Sequence, residues 1–417
     1  MSDFRAIILA AGRGTRMRSE IPKVLHKVCG KPVLGYVLDI VRDLRSLKTY
    51  VVTGYGSEKV KEAVGDGFEF VLQEKLLGTG DAVMRCSTHF KGYHGDVLVL
   101  CGDTPLLSRP IVAALLKKHH QQKAAATFLT ATIDDPHGYG RIVRDNEKRL
   151  LAIREQKNAS KAEDQITEIN VGVYCFKAPA LFETLKKVRL NPAKKEFYLT
   201  DVIELLRAQG QKLETLTTQD QSVAFGVNTR QDLAQAQAII RQRILSRHML
   251  SGVTIVDPLT TFIEDGVVIG RDTIIHPMST IHTDVRIGKN CSIGPLARLR
   301  QGTRLSDGVE IGNFAEVSRT SIGHGVFVKH FSFLGDATIG SMSNIGAGVV
   351  TANFDGVNKN KTFIGNRAFI GSGAMLVAPA RIGAGAVVGA GSVVARGKTI
   401  PAGTVAVGVP ARVIRKI

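Results

Sequence analysis

Residues 6–23 read AIILAAGRGTRMRSEIPK, and this stretch decides how the first half of the chain folds. Ala6-Ile7-Ile8-Leu9-Ala10 is short, apolar and partly β-branched, the pattern of a buried parallel strand. The small residues that follow, with Gly12 and Gly14 among them, let backbone N–H groups approach an anion closely. Arg13, Arg16 and Lys23 supply positive charge, so the stretch predicts a phosphate cradle. It is not the dinucleotide fingerprint, because Met17 stands at the third glycine position, and no Gly-Lys-Ser/Thr follows to make a P-loop. The plainer alternative is a strand-to-helix turn with solvated arginines.

The chain has 417 residues, which favours two domains over one core. Its 43 glycines crowd into the part after residue 250, and such a shift in composition marks a change of architecture. Lys and Arg number 55 against 37 Asp and Glu, a net charge of +18 that favours anionic ligands. The basic residues are scattered, Trp is absent and no aromatic-basic motif is present, so nucleic acid is not the expected partner. Five widely spaced cysteines form no CxxC or zinc-type pair, which points to neither a disulfide framework nor a metal cage. No signal-peptide pattern and no membrane span is read, so the expected place is the cytoplasm.

Val33 to Leu44 carries apolar residues at helical spacing, Thr49 to Thr53 is a short β-rich run, Ser57 to Val64 a helix and Glu69 to Leu72 a strand. This alternation predicts a doubly wound α/β sheet, in which ligands sit beyond the carboxyl ends of the strands. Two loops in that position stand out. Gln73 and Gly78-Thr79-Gly80 offer a side-chain amide able to read a pyrimidine edge, a hydroxyl and exposed backbone amides. Asp103, after Val97 to Leu100, is a hard carboxylate suited to Mg²⁺, or else a helix N-cap. Further loops are Gly138-Tyr139-Gly140-Arg141-Ile142, Glu155 to Lys157 and Glu168-Ile169-Asn170-Val171-Gly172, whose amides and carboxylates could grip a neutral sugar ring. Asn228, before a long stretch without Gly or Pro from Gln231 to Leu250, reads as a helix cap.

Leu9 to Met17 with Pro22-Lys23 resembles the L-A-A-G-x-G-T-R-M…P-K signature of sugar-phosphate nucleotidyltransferases. G-Y-G-R-I, E-x-K, E-I-N-x-G and G-V-N-x-R are similar, in order, to loops of the N-acetylglucosamine-1-phosphate uridylyltransferases. The resemblance implies a nucleotide site at Leu9, Ala10, Gly12, Lys23, Gln73, Gly78 and Thr79, and a sugar-phosphate site at Gly140, Glu155, Asn170 and Asn228. It also implies Mg²⁺ on Asp103 and Asn228, with Arg16 and Lys23 as catalytic cations.

From residue 263 an aliphatic residue recurs at every sixth position: Ile263, Ile269, Ile275, Ile281, Ile287, Ile293, Leu299, Leu305, Ile311 and Val317. The register slips by one at Ile322 and Ile339, and runs again from Ile364 to Ile400 after a gap of 13 residues that begins at Thr351. A six-residue period marks a parallel β-helix, and insertions on one face of a solenoid are often its binding face. The half resembles the hexapeptide-repeat acyltransferases, which implies a left-handed β-helix and a homotrimer that binds acetyl-CoA between neighbouring prisms. His330, structural or a general base by its chemistry alone, lies in a stretch similar to the G-H-L-T-Y-L-G-D of glucosamine-1-phosphate acetyltransferases. That resemblance makes His330 catalytic and places substrate and acetyl-CoA at Arg300, Phe333, Asn344, Asn353, Phe354, Lys359, Ser372 and Ala390. Ser318 and Phe333 depart from it, standing for a lysine and a tyrosine that hold the sugar phosphate; Arg319 could return the cation if the slip after Val317 shifts it.

The whole chain therefore resembles the bifunctional enzymes that acetylate glucosamine-1-phosphate and then use UTP to uridylylate N-acetylglucosamine-1-phosphate, for cell-wall precursors. The domains expected are 1–228 for nucleotidyl transfer, 229–250 as a linker helix and 251–417 for acetyl transfer. A thymidylyl- or guanylyltransferase with a scaffold β-helix is the alternative, and a non-enzymatic β-helix would leave the first-half loops unexplained.

Overall fold

The computed structural model describes residues 3–192 and 195–417. The chain divides into two compact units, Met1–Gln237 and Ala238–Ile417.

The first unit is built on a nine-stranded sheet. Its strands are β1 (Phe4–Ala10), β2 (Lys48–Thr53), β3 (Glu69–Leu72), β4 (Asp96–Cys101), β5 (Ala126–Thr132), β6 (Arg141–Arg144), β7 (Leu150–Arg154), β8 (Glu168–Lys177) and β9 (Leu213–Thr218). The main path runs β9-β5-β8-β4-β1-β2-β3, and the β6-β7 hairpin hangs from β8. β1 is parallel to both β2 and β4, while β8 is antiparallel to β4 and β5. The order 3-2-1-4 reverses between β1 and β4, so their carboxyl ends open a crevice where a doubly wound sheet binds its ligand. β1 is buried on both faces: Ala6, Ile8 and Ala10 pack with Leu34 and Val37 of the helix Val33–Asp43, and Ile7 packs with Val83 and Phe90 on the other side.

Residues 168–172, which the Gly and Asn suggest as a loop, are the first half of β8. Pairing with β5 overrides the turn propensity, and the register shift between Asn170 and Tyr174 absorbs Gly172 at φ 82°. The long helix is present as Arg230–Leu250. Thr229, not Asn228, caps it: the Asp232 N–H donates to Thr229 Oγ1 at 3.1 Å, and Asp232 Oδ2 accepts the Thr229 N–H at 2.8 Å. The unit boundary falls inside this helix. The Cys29 N–H donates to Gln237 Oε1 at 2.9 Å in the first unit, and Arg241 lies 4.5 Å above the Phe262 ring in the second.

The second unit is a parallel β-helix of three sheets with ten, eight and eight strands. Strands one coil apart pair in register, as in Ile263↔Ile281 and Ile281↔Leu299. The hexad residues point inward: Ile275, Ile293, Leu299, Val317, Ile370 and Val388 are all fully buried. Thr351, polar in the same column, is satisfied there, because its hydroxyl accepts from the Gly335 N–H at 2.7 Å and donates to the Gly335 carbonyl at 3.0 Å. The two slips become corners at Arg319 and Asp336, both with left-handed backbone (φ 48° and 51°). Among the described residues no helix is long and apolar enough to cross a membrane.

Candidate active sites

A cavity of about 480 Å³ opens at the reversal point of the sheet. Leu9, Ala10, Gly12, Lys23, Gln73, Gly78, Thr79, Asp103 and Glu155 line it, together with Arg13, Cys101, Glu196 and Tyr198. Two glycines are obligatory for this geometry. Gly14 has φ 66°, and a Cβ there would meet Lys23 Cβ at 2.6 Å, so only glycine lets Lys23 come in under the loop. Gly78 has φ 95°, and a Cβ would meet the Phe197 carbonyl at 2.6 Å.

Lys23 Nζ donates to Asp103 Oδ2 at 2.5 Å and to Asn228 Oδ1 at 3.0 Å. Asp103 caps no helix, since the next one begins at Arg109 behind Ser108. Asn228, relieved of capping by Thr229, turns its oxygen to the same point. Two oxygens converging on an ammonium form a donor set that also suits a hard divalent cation. Arg16 is exposed and has no side-chain partner among the described residues. Cys101 lines the cavity, but burial, and secondarily Asp103, push its thiol up to about 12, so it stays protonated and is no nucleophile.

Of the residues expected to hold the sugar, Glu155 lines the cavity, and Gly140 and Asn170 lie beside each other. The Asn170 N–H donates to the Gly140 carbonyl at 2.8 Å, and its side chain holds Tyr174 and the Gly172 N–H, so Asn170 braces β8 and does not line the cavity. Glu155 accepts from Thr200 Oγ1 at 3.0 Å; burial raises its pKa against that bond, and Glu196 adds to the rise. Asp201 is raised to about 6 by burial and by Glu155. Sequence reasoning missed one clamp entirely. Arg230 Nε donates to the Met17 carbonyl at 3.3 Å and its Nη1 lies 3.1 Å from His26 Nδ1, tying the glycine-rich loop to the helix; burial and then Arg230 lower the His26 pKa. A contact across 204 residues has no local signal.

Among the described residues the one tight group of His, Cys and carboxylate ligands is Asp96, His119 and Cys175, at the opposite end of β4. Lys177 Nζ neutralises Asp96 at 2.5 Å, His119 Nδ1 pairs with Thr127 at 2.9 Å and burial drives the Cys175 thiol well up, so this is a buried charge network.

In the β-helix the expected residues fall into several groups. Arg319 makes a bidentate bond to Asp336 (2.6 and 2.8 Å), and its Nη1 reaches the buried Ser318 hydroxyl at 2.9 Å. Asp336 also accepts from Asn353, and a Cβ on Gly335 would touch both Asn353 and the Phe333 ring, so these side chains share one place. Arg300 donates to Glu316 at 2.9 Å. His330 is exposed, with Nδ1 3.3 Å from Asn313 Oδ1. Phe354 and Lys359 bridge across the exposed inserted loop, which is organised by Asp355: its carboxylate accepts from Val357, Asn358 and Asn360 and is held well below the usual range. Ser372 and Ala390 occupy equivalent corners of successive coils, where the Gly391 N–H donates to the Ser372 carbonyl at 2.8 Å. Asn344 pairs with Phe327 one coil earlier.

Residues 6–169 match the MobA-like NTP transferase domain, and residues 266–301 and 361–396 match the bacterial transferase hexapeptide (six repeats), in agreement with a left-handed β-helix. The bifunctional protein GlmU of Geobacillus thermodenitrificans is 43% identical over 392 residues, covering 86% of this chain and 85% of that protein. The GlmU of Pelotomaculum thermopropionicum is 43% identical over 397 residues (87% of each), and that of Enterococcus faecalis 40% over 399 residues (88% and 87%). Likeness at this level through both the nucleotidyltransferase sheet and the repeat places the chain in the family of bifunctional GlmU proteins.

Proposed function

We propose that residues 1–228 transfer UMP from UTP to N-acetylglucosamine-1-phosphate, releasing pyrophosphate, and that residues 251–417 acetylate glucosamine-1-phosphate with acetyl-CoA. The observation that carries this reading is the meeting of Lys23, Asp103 and Asn228, the first two in the lining of the reversal-point cavity. The sugar phosphate attacks the α-phosphate directly, so the protein needs no nucleophile, only positioning and charge neutralisation. Gly12 and its neighbours approach the phosphates, Lys23 and Arg16 offset their charge, and Glu155 faces the sugar, while Gly140 and Asn170 brace β8 through the bond between them. Asp103 and Asn228 are the residues that would hold Mg²⁺. When bound, the ion supplies charge neutralisation to the triphosphate. A thymidylyl- or guanylyltransferase with a scaffold β-helix is the weaker reading, because the identity to bifunctional relatives continues through the repeat.

The test is direct. With UTP and N-acetylglucosamine-1-phosphate the protein should release pyrophosphate, and with acetyl-CoA and glucosamine-1-phosphate it should release free thiol. Pyrophosphate release only with another nucleotide, or no thiol, would overturn the corresponding half.

In the acetyl site the supporting feature is Arg319, whose guanidinium lies over Ser318, where the resemblance expects a lysine. Arg319→Ala should raise the KM for glucosamine-1-phosphate by about tenfold or more, the size of one charged hydrogen bond. Steady-state thiol release measures this, and an unchanged KM removes Arg319 from the phosphate grip. Exposed His330 and Phe354 fit a cleft completed by a neighbouring prism, as a homotrimer would provide. Sedimentation should give a trimer at micromolar concentration; a monomer there would contradict this assembly.

A further inference from the structure

Gln73 is 3% exposed and lines the nucleotide cavity, yet its amide is not free to present either edge. Nε2 donates to the Gly78 carbonyl at 3.0 Å and to Asp81 Oδ2 at 2.8 Å. Both partners are acceptors, so both amide protons are consumed and the oxygen cannot take their place. Gly78 is itself pinned: the next-but-one N–H, of Gly80, donates to the Phe197 carbonyl at 2.8 Å. Asp81 is pinned as well, since Arg85 donates to Oδ1 from Nε at 3.2 Å and pairs with it through Nη2 at 3.2 Å. The side chain of Asp81 is only 12% exposed. Among the described residues no donor holds Gln73 Oε1. An amide that by chemistry is both donor and acceptor is therefore turned into an acceptor alone.

We propose that Asp81, held by Arg85, is a positioning residue that locks Gln73 with its oxygen toward the base, so that the cavity accepts uracil and excludes cytosine. The inference rests on the nucleotidyl-transfer reading of this cavity. Uracil offers an N3–H donor to Oε1. Cytosine offers a lone pair at N3, which faces oxygen against nitrogen with no proton between them. The selectivity is a penalty built against the wrong base as much as a bond made to the right one.

Asp81→Asn leaves a single oxygen at residue 81. The charged Arg85 draws that oxygen, the new amide N–H₂ turns to Gln73, and Gln73 keeps only Gly78 to hold its nitrogen. Its amide can then rotate and offer a donor to cytosine. Steady-state pyrophosphate release should show the UTP-to-CTP ratio of kcat/KM falling by about tenfold or more in Asp81→Asn, the scale of one hydrogen bond to a charged group. Asp81→Glu, which keeps an acceptor, should recover part of the ratio. Arg85→Gln, a half-exposed change that touches neither Gln73 nor the base, should lower the ratio in the same direction and keeps the test open if Asp81→Asn does not fold. A general loss of packing would depress both nucleotides together and leave the ratio alone. An unchanged ratio in both folded Asp81→Asn and Arg85→Gln overturns the lock, even though the parent prefers UTP. A parent protein that does not turn over UTP overturns the nucleotidyl reading itself, and the lock with it.

Discussion

Asp103→Ala is expected to lower uridylyl transfer by about a thousandfold while leaving acetyl transfer near the parent rate. Asp103 is the only carboxylate at the point where Lys23 and Asn228 meet, among the described residues lining the cavity there. Removing it leaves the Lys23 ammonium bonded to a neutral amide alone, and leaves the triphosphate without the anionic side of any cation bridge. Loss of a single preorganised electrostatic group in an active site costs about 10²–10³ in kcat. Here the same change removes a partner of Lys23 and half of the candidate metal donor set, so the upper end applies. Pyrophosphate release and thiol release measured on one preparation separate the two activities. Uridylyl transfer within tenfold of the parent would remove Asp103 from the site. Titrating Mg²⁺ against intrinsic protein signals in the parent and in Asp103→Ala gives a readout apart from turnover, and equal binding would place the ion elsewhere.

His330→Ala should reduce acetyl transfer by about 10²–10⁴, the usual contribution of a general base, with uridylyl transfer unaffected. Nδ1 lies 3.3 Å from Asn313 Oδ1, and a neutral ring that donates there keeps Nε2 as its acceptor, on an exposed residue. The backbone is held too, because Ser332 Oγ donates to the His330 carbonyl at 2.8 Å. An ammonium on the sugar must lose a proton before it attacks a thioester, and taking that proton is the role proposed for His330. The loss should fall on kcat more than on the KM for acetyl-CoA. A His330→Ala protein that releases thiol at the parent rate would return this residue to a structural role.

Much of this was legible because it is local or periodic. The strand Ala6 to Ala10 and its glycine-rich loop are contiguous, and the hexad column repeats one physical requirement, an aliphatic residue pointing into a stacked core, many times over. Single positions were harder. Asn228 has the chemistry of a cap, but Thr229 next to it has the better partner in Asp232 three residues on, and that competition is settled by geometry. Residues 168–172 look like turn chemistry until a neighbouring strand pairs with them. Gln73 has the composition of a two-way reader, and only the contact to Asp81 shows which way it faces. Arg16, the most conspicuous cation of the signature, remains in solvent while Lys23 turns inward.

The paired corners at Arg319 and Asp336 constrain how this chain can change in length. They lie 17 residues apart, one short of the 18 that separate equivalent positions such as Lys289 and Asp307. Each corner has given up one residue, and because the two are stacked, the guanidinium of one meets the carboxylate of the next. An insertion that restored the full hexad at a single corner would leave that corner one residue longer than the corner stacked on it, and would break the match between the guanidinium and the carboxylate. Drift in length is therefore expected to be correlated here: a residue gained near 319 is better tolerated when one is also gained near 336, because the two stacked corners then keep matching lengths. The inserted loop after Thr351 carries no such debt, since its extra residues leave the stack and return to it in phase at Ile364.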